Sequence, residues 1–199
     1  MASPVLLEAV PEIQIELPEP LETDEALYEV VKGQRVETPP MSIRASIIAS
    51  NLGAELWTFA EAHGVGWVVI EGVFRVPIPE DHSLSRRPDV AFVSADKMRA
   101  GSEWGLDARA ADVVPDLAVE VTSPTDCAED QREKILEYFQ AGVRAVWVVY
   151  PRLRIVDVYE SPTRVQVLTE ADTLRVDPVL PGFELALSRL FETAGPRKS

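Results

Sequence analysis

Two carboxylates and a lysine are the residues of this chain whose types and spacing best suit chemistry. Glu120 lies in a run of β-forming residues, 117–121, at a position where an apolar residue is expected. Asp89 opens a second apolar run, residues 90–93, and Lys134 follows in the segment after Glu120. A charged residue that conflicts with its local pattern often marks a functional site. These three side chains are therefore the first candidates.

The two acids suggest a metal site. If their strands are neighbours in a sheet, the carboxylates of Asp89 and Glu120 converge. Mg²⁺ is usually held by one or two carboxylates together with waters and substrate phosphate. Without a cation, two like charges placed together would raise the pKa of one of them. We therefore predict that Asp89 and Glu120 bind Mg²⁺ or Mn²⁺.

The segment after Glu120 has the pattern of a helix, and Gln131, Lys134 and Tyr138 fall on one face of it. The ammonium group of Lys134 could reach past the end of the Glu120 strand. There it would orient a water molecule or stabilise the negative charge that develops on a phosphate. Gln131 and Tyr138 fit packing or the rim of a site better than catalysis.

Each candidate also has a purely structural interpretation. Asp89 follows a proline and could close a turn. Glu120 could face solvent from a half-exposed strand, and Lys134 could be a solvated lysine paired with Asp130. No single residue decides between these interpretations.

The rest of the chain reads as strands alternating with helices, which predicts an α/β fold. A β-hairpin is predicted over residues 28–37, with its turn at Lys32-Gly33, and a helix from Ser42 to about His63-Gly64. Further predicted strands lie at 66–70 and 73–77 (paired with each other), 87–93, 117–121, 143–150, and 155–159 and 165–168 (antiparallel). Further predicted helices lie at 95–99, 128–140 and 187–191, and a loop lies at 101–114. For the helix at 128–140, Ser123, Thr125 and Asp126 are the cap candidates, and Ile135, Leu136 and Phe139 are expected on the core side.

Length and composition predict one globular domain in a chain of 199 residues, 46% of them hydrophobic. Residues 1–22 are rich in proline and glutamate and are expected to form an acidic extension. The domain is expected over residues 23–192, and residues 193–199 form a short tail. No apolar run is long enough to cross a membrane, so no membrane partner is expected. The single cysteine suits a reducing compartment, and we predict a cytoplasmic location.

The charge of the chain limits the partners that it can have. A formal net charge of -14 repels polyanions at long range and weighs against high-affinity nonspecific binding of nucleic acid. A nuclease would still need basic side chains in its cleft. Arg75, Arg86, Arg87 and Arg132 are the candidates.

Several ordered motifs resemble those of the Uma-two family, a branch of the PD-(D/E)XK nuclease superfamily. They are Arg87-Pro88-Asp89-Val90, Pro115-Asp116-Leu117-Ala118-Val119-Glu120-Val121-Thr122-Ser123-Pro124, Lys134 with Tyr138, Gly142-Val143, and Trp147-Val148-Val149. Tyr28-Glu29-Val30-Val31-Lys32-Gly33 before a helix matches the opening of the family domain. The resemblance covers residues 23–190. It implies a restriction-endonuclease-like mixed central sheet flanked by helices.

The resemblance also implies roles for individual residues. Asp89 matches the aspartate of the Pro-Asp element, and Glu120 matches the acid of the second element. Thr122 replaces the lysine that usually follows two positions later, and Lys134 matches the position from which this family supplies it. Glu29 is implied as a further acid near the site. Where many relatives have a histidine at the start of the first long helix, this chain has Ser42, Arg44 and Ser46.

Two classes of function follow from the residues and the resemblance. The first is a Mg²⁺-dependent endonuclease acting on DNA, with Asp89 and Glu120 as metal ligands and Lys134 beside them. The second is a catalytically inactive module that keeps the fold and works through protein association. A homodimer is expected for the first, because cutting both strands with one site per chain requires two chains.

Overall fold

The computed structural model describes residues 27–100, 108–124, 126–177 and 179–192. The predicted acidic extension at 1–22 and the tail at 193–199 lie outside the described residues. So do Thr125 and residues 101–107 of the predicted loop. In the part of the chain that is described, no helix is both long enough and apolar enough to cross a membrane.

Strands and helices alternate along the described chain. The strands are β1 Tyr28–Val31, β2 Gln34–Glu37, β3 Gly66–Ile70, β4 Phe74–Arg75, β5 Ser85–Arg86, β6 Val90–Ser94, β7 Leu117–Val121, β8 Ala145–Tyr150, β9 Ile155–Ser161, β10 Arg164–Thr169, β11 Thr173–Leu174 and β12 Leu185–Ala186. The helices are α1 Ile43–His63, α2 Ala95–Ala100, α3 Ala128–Ala141 and α4 Leu187–Phe191.

The central sheet has six strands in the order β10-β9-β8-β7-β6-β3. Strands β7 and β8 are parallel, and the other neighbours are antiparallel. Helix α3 joins the two parallel strands, as such a crossover requires. The mixed sheet flanked by helices confirms the predicted fold class.

Each face of the central sheet has its own apolar core. Val119 and Trp147 belong to the core that also contains Leu52 and Leu56 of α1. Ala118 and Val148 belong to the other core, which contains Tyr138 of α3. Because side chains alternate along a strand, position 120 faces the same side as position 118. The sheet therefore presents Glu120 toward α3.

The predicted N-terminal hairpin is confirmed. Strand β1 pairs with β2 in antiparallel register, and the turn residues Lys32 and Gly33 have φ values of 51° and 73°. Two positive φ angles match the twist that a two-residue hairpin turn needs. Strand β1 also pairs with β5 through Val30 and Ser85. The hairpin is thus part of a second sheet, in the order β2-β1-β5-β4.

Helix α1 begins and ends where the sequence predicts. The Ser42 hydroxyl accepts a hydrogen bond of 3.3 Å from the Ala45 amide, and Gly64 closes the helix with a φ of 61°. The apolar side is narrower than expected, because Ile43 is 80% exposed and Ile47 is also exposed. Only the stripe that meets the sheet is buried.

The predicted pairing of residues 66–70 with 73–77 is wrong. Strand β3 pairs with β6 at the edge of the central sheet, whereas β4 pairs with β5 in the second sheet. Glu71 turns the chain out of β3 with a φ of 51°, and its amide donates to the Asp89 carbonyl at 3.1 Å. The alternating apolar pattern predicts that β3 and β4 are strands, but it does not specify which strands they pair with.

Two local predictions for α3 also need correction. Leu136 is 40% exposed, and Tyr138 takes the buried position on the core side. The N-cap is Cys127, which makes no side-chain cap hydrogen bond. Asp126 instead accepts a hydrogen bond of 2.7 Å from the Ser123 amide and closes the turn before the helix.

Candidate active site

The register of β6 and β7 brings Asp89 and Glu120 together. Val90 lies opposite Val119 in this antiparallel pair, so the preceding Asp89 continues the register toward Glu120. The Val121 amide donates a hydrogen bond of 2.5 Å to Asp89 Oδ2. Alternation along both strands places the two carboxylates on the α3 side of the sheet. They line the same cleft, which has a volume of about 450 Å³.

The environment of this pair disfavours two negative charges. Burial, followed by the charge of Glu120, raises the pKa of Asp89 to about 8. Burial also raises the pKa of Glu120, although Lys134 and Tyr138 act in the opposite direction. Such a pair is an unfavourable arrangement for stability alone. It suits a site that receives a cation.

Lys134 lies between two carboxylates. Its Nζ atom is 2.8 Å from Glu29 Oε1 and 3.7 Å from Glu120 Oε2. Burial lowers the pKa of this lysine, but Glu120 and Glu29 outweigh burial and hold the pKa above its usual value. Lys134 therefore stays protonated near neutral pH, which suits an electrostatic role and excludes that of a general base.

Tyr138 holds the second oxygen of the Glu120 side chain. The Tyr138 hydroxyl donates a hydrogen bond of 2.7 Å to Glu120 Oε1, and its ring is fully buried. Burial and the Glu120 charge raise the pKa of Tyr138 well above 10. The phenol consequently remains a hydrogen-bond donor near neutral pH and fixes the orientation of the Glu120 carboxylate.

Glu29 is the centre of a buried ion-pair network. One carboxylate oxygen accepts from the Arg86 Nη1 atom at 2.6 Å, and the other accepts from Lys134 and from the Arg87 amide at 3.1 Å. Burial raises the pKa of Glu29, but Lys134 and Arg86 outweigh burial, and the pKa lies below its usual value. Glu29 is therefore ionised, and its negative charge offsets much of the positive charge of Lys134 and Arg86 in the cleft.

Glu137 completes this network, and sequence reasoning missed it. The Arg86 Nε atom donates to Glu137 Oε2 at 2.7 Å, and Arg86 and Glu137 lie 51 positions apart. On the sequence, Glu137 looks like an ordinary acid on a helix surface.

The donor set fits a hard divalent cation. Glu29, Asp89, Glu120 and Glu137 supply four carboxylates, and only Arg86 and Lys134 balance them within the network. As metal ligands Asp89 and Glu120 would both be deprotonated, which leaves two negative charges for a divalent cation to neutralise. The described residues contain no group of three or more His, Cys, Asp or Glu side chains arranged to hold a metal. Asp89 and Glu120 alone match the few protein ligands that Mg²⁺ takes.

The remaining predicted residues are spread around the cleft. Gln131 lines it, and its side-chain nitrogen is buried without a hydrogen-bond partner among the described residues. Arg86 and Arg87 also line the cleft, whereas Arg75 lies near Asp112 at 3.9 Å. Arg132 borders a neighbouring pocket. Of the four arginines proposed for the cleft, two reach it.

The comparisons with known proteins agree with this architecture. Among solved structures, the chain is similar to a crystal structure titled "putative nuclease belonging to DUF820" from Anabaena variabilis, with a TM-score of 0.70 and 18% identity. The match covers 82% of this chain and 89% of that chain. The structure of the DrdV-DNA complex matches with a TM-score of 0.38 and 16% identity, over 77% of this chain and 13% of that one. The search of curated proteins found no match.

The mixed sheet and its flanking helices thus define a restriction-endonuclease-like α/β fold. Residues 12–188 match the model of the Uma2 family, which is described as "Putative restriction endonuclease". Because the match spans most of the chain, this protein belongs to the Uma2 family. The resemblance predicted from the sequence motifs is confirmed.

Proposed function

We propose that this chain is a divalent-metal-dependent endonuclease that hydrolyses phosphodiester bonds in DNA. One observation supports this most strongly: Asp89, which is partly buried, and the buried Glu120 lie on one face of the sheet, where desolvation and the charge of Glu120 raise the pKa of Asp89 to about 8. A folded protein retains such a pair at a cost in stability. Holding a cation is a function that explains the cost.

Asp89 and Glu120 would hold Mg²⁺ or Mn²⁺ in this proposal. The bound ion supplies Lewis-acid stabilisation of the charge that develops on the phosphoryl oxygens. The two carboxylates need little rearrangement, because the Val121 amide fixes Asp89 and the Tyr138 hydroxyl fixes Glu120. Tyr138 is therefore a positioning residue.

Lys134 would supply a fixed positive charge at the reacting phosphate. Its ammonium group is 3.7 Å from Glu120 Oε2 and is held by Glu29 at 2.8 Å. A preorganised cation aimed at developing negative charge is a major source of rate enhancement. Glu29 would position Lys134, and Gln131 would border the substrate.

A second function is favoured by one specific observation. Lys134 and Arg86 are both engaged by carboxylates, so the cleft has few free cations for a DNA backbone. A catalytically inactive module that acts through protein association would need none. In that case Asp89 and Glu120 would be remnants of a metal site.

Cleavage assays separate the two proposals. Plasmid, linear duplex and single-stranded DNA are incubated with Mg²⁺ or Mn²⁺ and with wild type, Asp89→Asn or Glu120→Gln. The exposed carboxylate Asp112 provides a matched control, Asp112→Asn. The nuclease proposal expects metal-dependent cleavage by wild type and by the control, reduced at least about 100-fold in the two site variants. Equal product from all four proteins, or none from wild type, supports the inactive module.

We further propose a homodimer, since one site per chain cuts one strand at a time. Light scattering of the purified protein tests this directly: the mass of a single chain, 22.0 kDa, would contradict it. The cytoplasmic location stays a prediction that rests on the lone cysteine.

A further inference from the structure

A second pocket adjoins the candidate active site on the same face of the sheet. Its volume is about 290 Å³, and its border includes Thr122, Cys127, Gln131, Arg132, Tyr150 and Tyr159. Cys127 and Gln131 also line the cleft that contains Asp89 and Glu120. We call this space the tyrosine pocket. It opens directly beside the site where a phosphodiester would lie.

The strand order explains how the two spaces relate. Asp89 and Glu120 belong to β6 and β7, and Tyr150 and Tyr159 belong to the next two strands, β8 and β9. By alternation, the side chains of these four residues face the α3 side of the sheet. Tyr150 ends β8 beside the end of β7 that carries Glu120, whereas Tyr159 pairs with Val146 and lies deeper in the sheet. A substrate lying across the ends of these strands would therefore meet the acids first and Tyr150 next.

The walls of the tyrosine pocket include the partly exposed ring of Tyr150, the ring of Tyr159, which is 8% exposed, and the guanidinium plane of Arg132. The Arg132 guanidinium lies 5.6 Å from the centre of the Tyr159 ring and donates a hydrogen bond to the Pro162 carbonyl. The Tyr150 hydroxyl donates to the Asp157 carboxylate, and burial and that acid raise the pKa of Tyr150 to about 12. Tyr150 therefore stays neutral, and both rings are held in place.

The cationic side chains described in the cleft are already paired with carboxylates, so few of them are free to bind phosphate. Proteins that bind nucleic acid usually gain most of their affinity from phosphate contacts. Here Arg86 and Lys134 are already paired with acids, and Arg87 lies 3.6 Å from Glu71. The formal charge of -14 adds repulsion. A substrate must then be held largely by contacts that do not involve phosphate.

We propose that the tyrosine pocket binds an unpaired nucleobase of the nucleic-acid substrate, next to the phosphodiester at Asp89 and Glu120. The inference rests on the proposed nuclease function and adds a substrate class: single-stranded or locally unpaired nucleic acid. The volume of about 290 Å³ is close to the lower end of small-molecule pockets, roughly 300 Å³, which suits a ligand of the size of one base. Stacking on aromatic and guanidinium planes is how proteins hold unpaired bases.

The single cysteine of the chain offers a direct probe, because Cys127 is exposed and borders the pocket. The rate at which a thiol reagent modifies Cys127 is measured in metal-free buffer, where the substrate stays intact. The added ligands are a six-nucleotide oligothymidylate, the same oligomer without bases, its ribonucleotide counterpart and a duplex. The proposal expects the oligothymidylate to slow modification at least about fivefold, and the abasic oligomer and the duplex to leave the rate unchanged. The ribonucleotide oligomer shows whether DNA and RNA are both accepted.

Variants connect the protection to the pocket walls. Tyr150→Leu should raise the oligothymidylate concentration for half protection about tenfold, since stacking on an aromatic ring is a main contribution to holding an unpaired base. The matched control is Trp67→Leu. Trp67 is an exposed aromatic residue on β3, the edge strand farthest from β9, and its replacement should leave the concentration for half protection unchanged. If Tyr150→Leu melts below the assay temperature, Arg132→Ala at an exposed position replaces it and should give a similar loss.

The outcomes separate this inference from the proposed function. No protection by the oligothymidylate, equal protection by the abasic oligomer, or unchanged half protection in both variants would overturn the base pocket. Metal-dependent cleavage could persist in each of these cases. Base-dependent protection of wild type without any metal-dependent cleavage would instead leave a nucleotide-binding pocket on an inactive module.

Discussion

The backbone amide of Val121 donates a hydrogen bond of 2.5 Å to Asp89 Oδ2, so the strand that contains Glu120 also holds Asp89 in place. The two acids are consequently positioned by the sheet itself. A preformed pair binds a cation with little reorganisation, which favours affinity. The same arrangement makes the cation-free protein sensitive to pH.

The stability of the metal-free protein should fall as pH rises between about 4 and 8. Asp89 has an ordinary pKa of 3.8 when unfolded and about 8 when folded, so across this window the folded state binds more protons. Stability then decreases with pH, by up to about 5 kcal/mol for this residue. Urea unfolding at pH 5, 6.5 and 8.5 measures the change.

Asp89→Asn should reduce the slope of this profile, because an amide does not titrate; the raised pKa of Glu120 leaves the rest of the slope. Wild type should also lose stability as pH falls below about 4.5, because the unfolded chain then takes up a proton at Glu29 more readily than the folded protein does. If the free energy of unfolding changes equally with pH in wild type and Asp89→Asn between pH 5 and 8, then Asp89 is ionised in the folded, metal-free protein.

Removing the Lys134 ammonium should impair both stability and cleavage. Lys134→Met leaves Glu29 and Glu120 buried without their shared cation, which should destabilise the fold by about 3 kcal/mol. DNA cleavage should be lost at temperatures where the variant remains folded. Thermal melting followed by a cleavage assay measures both effects.

Lys97 provides the matched control for Lys134. It is partly buried and paired with Asp116 at 3.1 Å, away from the cleft. Lys97→Met should weaken the fold yet keep cleavage. A Lys134→Met protein that cleaves like wild type would remove Lys134 from the mechanism.

Arg86 should be essential for folding. Its guanidinium links Glu29 and Glu137 in a buried network, and breaking a buried ion pair costs about 3–5 kcal/mol. Arg86→Met should therefore lower the urea midpoint strongly. Arg175 forms an exposed pair with Glu184, and Arg175→Met should change stability by less than about 1 kcal/mol. Equal midpoints for the two variants would contradict the structural role of Arg86.

Local signals account for the parts of the fold that the sequence predicts well. Helix α1 has a serine cap, a buried stripe and a closing glycine, and the hairpin has its turn at Lys32-Gly33. Each signal lies within a few residues of the structure that it specifies. Partners across the sheet have no such signal, which is why β3 was assigned to the wrong neighbour.

The candidate site, too, is specified partly by local sequence patterns and partly by contacts between residues distant in the chain. Glu120 conflicts with the pattern of its own strand and Asp89 opens an apolar strand, and these local features make them candidates. Their environment depends on residues distant in the chain: Lys134 meets Glu29 across 105 positions, and Arg86 meets Glu137 across 51. Neither Glu137 nor the pocket beside β8 and β9 has a local signature, because both arise only when α3 packs on the sheet.

The central claim is that Asp89 and Glu120 together hold a divalent cation, and a melting titration tests it most directly. Wild type, Asp89→Asn, Glu120→Gln and the exposed control Asp112→Asn are melted at pH 8.5 over a series of Mg²⁺ and Mn²⁺ concentrations at constant ionic strength. At 100 times the dissociation constant, a bound ion should stabilise the fold by about 2.7 kcal/mol. The metal-induced rise in melting temperature should be smaller at pH 6, where protons compete with the metal for Asp89.

The account predicts a saturable rise in melting temperature for wild type and Asp112→Asn, and little or none for Asp89→Asn and Glu120→Gln. Four proteins that respond alike to the metal would contradict it.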